Sequence, residues 1–386
     1  MKNIAFKMVM ALAGALAVFS LRAETVIDIT GAGAEKFTVS AQVSGNPEFA
    51  KYLQRNLVLS GCFRVAAGGA IKVTGTVGGS IRVEGLGKAL TLGSSAADAA
   101  QARGEARRLA DKMCEVYANA RGFASTPIAF VLKTGDGEEL CVGYADGADT
   151  RQLTTDRRAS VGPRWKDART IYYTGYLNNA PQVFEIDVET GRRSLAFGFG
   201  GLTTGGAVSP DGSRVALILS KPFRNPELCV INPRGDSYVR LTKTPKGNEG
   251  QPAWSPDGRK IVYVSDESRR QHLYIIDVAT REKRRLTANG TRNVDPDWGR
   301  DGRIAYVTRR GGDNCVAVVE PAEGDKAARL VTPPGRWEHP TWAPDMRHLI
   351  VENDGALYLV DTMENGDAPQ RLFRAGGKCI TPSMAR

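Results

Sequence analysis

The sequence predicts a mainly β protein in which a small two-layer α/β domain precedes a six-bladed β-propeller. The stretch "QPAWSPDGRKIVYVSD", which begins at residue 251, recurs in variant form through the C-terminal part of the chain. Within each copy the apolar residues alternate with a period of two, which indicates strands rather than helices. The segments before the first copy and after the last one also complement each other, which predicts a closed ring.

The first 23 residues have the pattern of a secretory signal peptide. Lys2 and Lys7 give a positive start, and the apolar run 8–19 is too short to span a bilayer comfortably. "Leu-Arg-Ala" at 21–23 resembles a cleavage site. We therefore expect an exported chain that starts near Glu24 and is not inserted in a membrane. An uncleaved anchor helix is the alternative.

Residues 24–124 are predicted to form the first domain. The stretch 46–61, "NPEFAKYLQRNLVLSG", indicates a helix that Asn46 caps, with its apolar residues on one face. "CFRV" and "AIKVTGTVGGSIRVEG" alternate like strands, and a second helix is expected near 96–121. The propeller should then occupy residues 125–386.

The repeat predicts the blades. One large residue marks the same place in each copy, and consecutive markers lie 43, 46, 44, 44 and 42 residues apart, at Trp165, Val208, Trp254, Trp298, Trp342 and Met384. Four short strands in a unit of forty-odd residues are typical of a propeller blade. Asp-Gly pairs supply the first hairpin turn, because glycine adopts a positive φ at little cost. An open sandwich of similar hairpins is the alternative, and the regular spacing argues against it.

The two ends of the repeat region predict how the ring closes. Residues 126–154 contain the second, third and fourth strands of a blade but no first strand. The C-terminal "TPSMAR" resembles a first strand that nothing follows. One blade is therefore shared between the two ends, which brings the count to six and leaves no exposed sheet edge in the ring.

Six cysteines occur in the chain. Cys62 and Cys114 both lie in the first domain and are the best disulfide candidates, although the sequence leaves open whether they are bridged. Cys141, Cys229 and Cys315 are predicted at the same place in the third strands of alternate blades. That placement keeps them too far apart to pair.

Charge and composition argue against nucleic acid as a partner. The formal net charge is +10, but the basic residues are scattered. The densest run, "REKRRL" at 281–286, lacks the interleaved aromatic residues of a single-strand nucleic-acid groove. We interpret it as part of a solvated outer strand.

No catalytic pattern is found. The three histidines, His272, His339 and His348, have no metal-ligand spacing with a cysteine or another histidine. A Gly-x-Ser-x-Gly elbow, a phosphate loop and a dinucleotide fingerprint are all missing. The sequence thus favours a protein that is not an enzyme and that needs no cofactor or metal. The alternative is a propeller enzyme of the lactonase or lyase type, whose ligands come from distant loops.

The order of these segments resembles the TolB family, the periplasmic component of the Tol–Pal system. The resemblance covers nearly the whole mature chain and rests on the "WSPDG" units, the domain order and the start "ETVIDITGAG". The chain departs from the family in ending with "TPSMAR" and in having Val208 where a tryptophan is usual. The resemblance implies a periplasmic, non-enzymatic scaffold that links envelope layers during cell constriction and is associated with protein transport.

The resemblance also implies two partners. A Pal-like outer-membrane lipoprotein is expected at the propeller mouth, on the loops that precede the Pro-x-Trp turns. The repeat places those loops at one axial end, and the residues concerned are Asn248, Glu249, Gln251, Arg292, Asn293, Asp295, Trp337, Glu338 and His339.

A TolA-like inner-membrane protein is expected to bind an N-terminal arm, Glu24 to Gly33. The arm contains Thr25, Val26, Ile27, Asp28 and Ile29. Its apolar residues can add as an edge strand to a partner sheet. The alternative is an ordinary first strand of the first domain. We expect the protein to be a monomer.

Overall fold

The computed structural model describes residues 36–177, 180–235, 237–363, 366–373 and 375–385. The predicted signal peptide and the N-terminal arm, with residues 25–29, lie outside the described residues. Within the described ranges no helix is both long and apolar enough to cross a bilayer.

The first domain has two layers, a five-stranded sheet and a pair of helices. Its elements are β1 (Phe37–Ser44), α1 (Pro47–Leu59), β2 (Phe63–Val65), β3 (Ile71–Thr76), β4 (Ser80–Gly85), β5 (Lys88–Gly93) and α2 (Ala99–Ala118). The strand order is β2-β1-β3-β4-β5, with β1 parallel to both of its neighbours. The predicted α/β domain is thereby confirmed.

Local signals in the sequence explain both helices. The Asn46 side chain accepts a hydrogen bond from the backbone N–H of Glu48 at 3.0 Å, which caps α1. Leu53 and Leu57 of α1 are fully buried against the sheet and α2. Helix α2 ends before Asn119, whose φ of 48° is left-handed, and so it is shorter than predicted.

Six four-stranded antiparallel sheets follow, which confirms the propeller and its number of blades. Blade 1 comprises β9 (Ser160–Trp165), β10 (Thr170–Gly175), β11 (Gln182–Asp187) and β12 (Arg193–Phe197). Blade 2 comprises β13 (Thr203–Val208), β14 (Val215–Leu219), β15 (Glu227–Ile231) and β16 (Tyr238–Arg240). Blade 3 comprises β17 (Glu249–Trp254), β18 (Lys260–Ser265), β19 (His272–Asp277) and β20 (Lys283–Arg285).

The remaining blades complete the ring. Blade 4 comprises β21 (Asn293–Trp298), β22 (Ile304–Arg310), β23 (Asp313–Val319) and β24 (Arg329–Leu330), with a short 3-10 helix at Asp325–Ala327. Blade 5 comprises β25 (Trp337–Trp342), β26 (His348–Asn353), β27 (Ala356–Asp361) and β28 (Gln370–Phe373). Blade 6 comprises β29 (Lys378–Met384), β6 (Ile128–Lys133), β7 (Glu138–Gly143) and β8 (Arg151–Gln152).

Blade 6 is the shared blade that the sequence predicts. Strand β29, from the C-terminus, pairs antiparallel with β6, and the register runs from Lys378 opposite Lys133 to Met384 opposite Ile128. The first strands of the blades, β9, β13, β17, β21, β25 and β29, contact one another in sequence around the ring. We call these six strands the inner strands. The mouth is the end of the channel at which they begin.

The repeated tryptophans tie neighbouring blades together. The indole N–H of Trp254 donates to the carbonyl of Ala207 in blade 2, at 2.9 Å. Trp342 likewise donates to the carbonyl of Asp297 in blade 4, at 3.2 Å, and is fully buried. Each of these two indoles thus fills the gap between blades and satisfies its only donor on the neighbouring inner strand, whereas Trp298 donates to the carbonyl of Gly302 in its own blade.

The first domain rests on the end of the propeller opposite the mouth, against blades 5 and 6. The Arg107 guanidinium donates to both carboxylate oxygens of Asp146, at 2.7 and 3.0 Å, in the turn that joins β7 and β8. Asn56 donates to the same carboxylate at 3.0 Å, and Arg55 donates to the carbonyl of Leu372 at 2.6 Å. Docking therefore depends on a buried ion pair with hydrogen bonds around it.

The cysteines are all free thiols. Cys141 and Cys229 pair with residues at matching places in the second strands of their blades. In blade 4 the residue at the equivalent position of the third strand is Ala317, which lies opposite Tyr306. The sequence had suggested Cys315 for this position. The reason is the hairpin at 311–312, which is so short that Cys315 falls nearer to the turn.

Candidate functional site at the propeller mouth

Every inner strand carries a residue with left-handed backbone three positions before its marker residue. These residues, with φ from 48° to 104°, are Gly162, Gly205, Gln251, Asp295, His339 and Thr381. The strand register shifts at this level in all six blades, as at a β-bulge. We call the six residues the bulge ring.

Four members of the bulge ring are not glycine, and a proline follows each of the four. Proline has no N–H to donate, so strand pairing is already interrupted there. Left-handed backbone at a non-glycine residue costs about 1–3 kcal/mol and persists only where the surroundings enforce it. The bulge ring is therefore a strained feature that other contacts must stabilise.

Those contacts are hydrogen bonds from one blade to the next. The Gln251 side chain bonds to Asp295 twice, since its carbonyl accepts from the backbone N–H at 3.0 Å and its amide donates to the carboxylate. The Asp295 carboxylate in turn accepts from the backbone N–H of His339 at 3.2 Å. Glu352 of β26 continues the chain, because its carboxylate accepts from the backbone N–H of Thr381 at 3.2 Å and pairs with the His339 ring at 3.1 Å.

The chain of side chains stops at blades 1 and 2. Gly162 and Gly205 have no side chain with which to continue it. A Cβ atom at Gly162 would meet no heavy atom within 4 Å. The buried Thr381 hydroxyl lacks a hydrogen-bond partner among the described residues. The bulge ring thus lacks side chains at Gly162 and Gly205, and we call this gap the open sector. The unsatisfied hydroxyl belongs to Thr381, which precedes Gly162 in the ring.

His339 is the main charged group of the ring. Burial alone would lower its pKa, but the carboxylates of Asp295, Glu352 and Glu338 outweigh burial and raise the pKa of His339 to about 9. The imidazolium form therefore prevails at neutral pH. It neutralises part of the negative charge that the three carboxylates bring to the mouth.

The same groups have the chemistry of a cation site. Glu338, His339 and Glu352 each offer a ligand atom, and these atoms lie within 4.8 Å of one another. Two carboxylates and an imidazole suit divalent transition metals. An imidazolium cannot coordinate, so a metal ion would have to displace the proton of His339.

The nine residues predicted at the mouth fall into two groups. Asn248 is exposed and four others are partly exposed: Gln251, Arg292, Glu338 and His339. The remaining four are buried: Glu249, Asn293, Asp295 and Trp337. Only the first group can touch a partner in this conformation.

Three of the buried residues start an inner strand and face the interior of the blades. Trp337 belongs to an apolar cluster, and its indole N–H donates to the carbonyl of Pro333 at 2.8 Å. Asn293 donates to the carbonyl of Asn289 at 2.7 Å. Glu249 accepts from the Thr244 hydroxyl at 2.7 Å. These side chains stabilise the blades and do not face a partner at the mouth, where the sequence predicted them.

A basic pocket that the sequence did not indicate opens beside the mouth, between blades 4 and 5. It has a volume of about 440 Å³, and its lining includes three arginines, Arg292, Arg309 and Arg336, and two acidic residues, Asp313 and Glu338. The Arg336 side chain is 82% exposed. Arg309 was not among the predicted residues because it does not precede a Pro-x-Trp turn. It lies on β22, close to the turn that joins the second and third strands.

A second cavity, of about 490 Å³, occupies the other end of the channel. It is lined by the indoles of Trp165, Trp254 and Trp298 and by Arg164 and Arg300, among others. The repeated tryptophans therefore do more than fill the gaps between blades. Their edges also form the wall of this cavity.

Comparisons with known proteins agree with this geometry. The family model described as the TolB β-propeller domain matches residues 115–385. The Tol-Pal system protein TolB of Bordetella pertussis is 28% identical over 170 residues, which is 44% of this chain and 39% of that protein. The matched segment thus spans well under half the length of that relative.

Two solved structures share the fold. TolB from Acinetobacter baumannii superposes with a TM-score of 0.79 at 20% identity and covers 91% of this chain and 97% of its own. A putative TolB from Agrobacterium tumefaciens has a TM-score of 0.52 at 18% identity and covers 64% of this chain and 88% of its own. Because the family model matches well over half of the chain, the resemblance read from the sequence is confirmed, and this chain belongs to the TolB β-propeller family.

Proposed function

We propose that the chain is a periplasmic, non-enzymatic scaffold of a Tol–Pal system. It binds a Pal-like outer-membrane lipoprotein at the propeller mouth and a TolA-like inner-membrane protein through the arm Glu24 to Gly33. The observation that carries the mouth assignment is the ring of polar side chains with its open sector, at the end of the propeller that the first domain leaves uncovered.

The three arginines of the pocket beside the mouth support an acidic binding segment on the lipoprotein. Arg292, Arg309 and Arg336 border one pocket, and Glu338 is the only acidic partner that Arg292 has within salt-bridge distance, at 3.6 Å, among the described residues. Complementary charges accelerate association and exclude wrong partners. Arginine is also enriched among the residues that dominate protein interfaces.

The open sector supports insertion of part of the partner. The Thr381 hydroxyl lacks a hydrogen-bond partner among the described residues, but it is closed to solvent, so a partner cannot reach it in this conformation. Space above Gly162 allows a backbone or a small side chain to approach. Gly162 is therefore added to the partner-facing residues.

Calorimetric titration with the periplasmic domain of a Pal-like lipoprotein tests this proposal. The double variant Arg292→Ala, Arg336→Ala should bind about tenfold more weakly or worse. The matched control is Arg284→Ala, Arg285→Ala on the exposed outer strand β20, which should bind within about twofold of the parent. If the outer-strand pair loses binding and the mouth pair does not, the partner binds the flank of the propeller and the assignment is wrong.

The alternative function, a propeller enzyme of the lactonase or lyase type, is favoured by one observation. Glu338, His339 and Glu352 lie close enough together to hold a divalent cation beside an open channel. Incubation with lactones and uronides in the presence of Mn²⁺ distinguishes the two functions. Turnover that Glu352→Gln abolishes, without binding of a lipoprotein, would support the enzyme.

A further inference from the structure

Cys62 and Cys114 lie near each other in the first domain, since Cys114 belongs to its buried apolar core and Cys62 packs against that core. Cys62 follows α1 and immediately precedes β2, and Cys114 lies near the C-terminal end of α2. The two thiols are close enough to influence each other's ionisation. The pair therefore bridges the end of one helix and the side of the other.

Their surroundings differ in a way that suits thiol chemistry. Cys114 is 2% exposed in the core of the first domain, whereas Cys62 is only partly buried. The chain beside Cys62 touches the propeller, since a Cβ atom at Gly61 would lie 3.1 Å from the side chains of both Arg347 and His348. Cys62 is thus the accessible member of the pair, and it lies next to basic groups.

The electrostatics agree with this geometry. The neighbouring Cys114 thiol, opposed by burial and assisted by Arg347 and His348, lowers the pKa of Cys62 to about 7. The neighbouring Cys62 thiol and burial raise the pKa of Cys114 well above its ordinary value. A low thiol pKa favours the thiolate, which is the nucleophile in disulfide exchange.

We propose that Cys62 and Cys114 form an intramolecular disulfide when the chain meets an oxidised dithiol, such as the disulfide form of a thiol–disulfide oxidoreductase. The Cys62 thiolate attacks one sulfur of that disulfide, forms a mixed disulfide and releases one thiolate. Cys114 then loses its proton and attacks the sulfur of Cys62, and the second thiolate leaves. Cys62 and Cys114 together give up two electrons and two protons, and the oxidant is reduced to a dithiol.

The bond would fix the part of the first domain that docks on the propeller. It would close the loop from 62 to 114, and closing a long loop stabilises a fold chiefly by restricting the unfolded chain. Helix α1 supplies Asn56 and helix α2 supplies Arg107 to the contact with Asp146. Cross-linking the two helices therefore holds both docking groups in one arrangement.

The remaining cysteines serve as internal controls. Burial raises the pKa of Cys141 and of Cys229 to about 12, which disfavours their thiolates. They should stay reduced under conditions that oxidise Cys62.

Peptide mapping without reductant tests the proposal. The purified protein is equilibrated with an excess of an oxidised dithiol, alkylated, unfolded and digested with trypsin. We expect the peptides Asn56–Arg64 and Met113–Arg121 to appear joined, at two hydrogen masses below their sum. The melting temperature of the oxidised protein should exceed that of the reduced protein by about 5 °C or more, and the shift should vanish in Cys62→Ser.

Two results would overturn the proposal. One is recovery of both peptides singly alkylated after oxidation, while a reference protein with a known disulfide is oxidised in the same buffer. The other is a joined peptide that contains Cys62 from two separate molecules, detected as a covalent dimer. Cys229→Ser keeps the pair and should behave like the parent, which separates loss of the disulfide from a general effect of removing a thiol.

Discussion

The carboxylate of Asp295 accepts a hydrogen bond from the backbone N–H of His339, across the boundary between blades 4 and 5, at 3.2 Å. Gln251 makes the corresponding bond to the backbone N–H of Asp295, at 3.0 Å. Each side chain thus satisfies a backbone group on the next inner strand, at a position where strand pairing is interrupted. The shape of the mouth consequently depends on these two side chains, of which Gln251 is also partly exposed to a partner.

The double variant Asp295→Ala, His339→Ala is expected to weaken binding of a Pal-like lipoprotein about tenfold or more. Removal of Asp295 leaves the Gln251 amide and the backbone N–H of residue 339 without an acceptor, and each such loss costs about 1–3 kcal/mol. We therefore expect lower stability as well as weaker binding. Calorimetric titration and thermal unfolding measure the two effects separately.

Asp295→Asn is the matched control for the first prediction. Its side-chain carbonyl can still accept from the backbone of His339, so the fold of the mouth should be kept. If the double alanine variant binds the lipoprotein as tightly as the parent, the bulge ring has a structural role only.

The charge of His339 should make stability depend on pH. Its pKa is raised from 6.5 to about 9 in the folded protein, so its contribution is fully present below about pH 6.5 and is lost as the pH rises through 9. Relative to His339→Gln, the parent should lose at most about 3 kcal/mol of unfolding free energy between pH 6.5 and 9.5, and less than that because solvent screens the partly exposed ring. Urea unfolding at several pH values measures this difference. If the unfolding free energies of parent and variant change with pH in the same way, the imidazole is not held in its charged form.

Docking of the first domain should depend on Asp146. Arg107 is 4% exposed and has its main partner in this fully buried carboxylate. Asp146→Ala leaves the buried guanidinium with the Asp149 carboxylate at 2.8 Å and the Tyr144 ring as partners, so we expect a loss of about 1–3 kcal/mol, less than for a fully broken buried pair. Limited proteolysis near residues 119–127, together with the melting temperature, reports the loosened docking.

An exposed ion pair in the same domain provides the control. Arg82 and Glu84 are 63% and 49% exposed, so Glu84→Ala should change stability by no more than about 1 kcal/mol. Equal stability losses in the two variants would mean that the contact with Asp146 does not hold the domains together.

Much of the propeller was predictable because the residues that define each blade lie close together in the sequence and recur from blade to blade. A marker residue and a period of two recur around the ring, an Asp-Gly turn recurs in blades 2, 3 and 4, and each constrains only a few neighbouring residues. The same alignment placed Gln251, Asp295 and His339 at equivalent positions on adjacent blades. Their proximity in the structure follows from that equivalence.

The burial of individual mouth residues was not predictable in this way. Glu249, Asn293 and Trp337 are the first residues of their inner strands, and which face they take depends on a register that the bulge shifts. Strand β1 was not predicted, although its apolar residues alternate, because its partners β2 and β3 follow the first helix and no local signal links them to it. Contacts such as Asn56 with Asp146 join two domains and leave no local signal.

Deletion of Glu24 to Gly33 should leave the propeller folded, because none of its 24 described strands comes from this stretch. Binding of a TolA-like domain should be lost, and binding at the mouth should be kept. Pull-down with each partner separately measures both. If both interactions survive the deletion, the arm is only a structural strand, and this part of the proposal is wrong.

Deletion of residues 380–386 should open the ring. It removes most of β29, which supplies the inner strand of blade 6, and leaves one edge of β6, from Ile128 to Val131, unpaired. It also removes the Ser383 carbonyl that accepts from the indole of Trp165, at 3.0 Å, so this hydrogen bond between blades 6 and 1 is lost. Unpaired buried backbone groups and an exposed strand edge favour association with other chains.

We therefore expect the truncated protein to aggregate or to melt at a much lower temperature, as measured by size-exclusion chromatography and thermal unfolding. Lys378→Ala is the matched control, because it alters an exposed residue of the same strand and leaves its backbone pairing intact. A soluble, monomeric truncated protein with an unchanged melting temperature would show that β29 is not needed to close the ring. A large loss confined to the truncation would instead establish that the stability of all six blades depends on the last few residues of the chain.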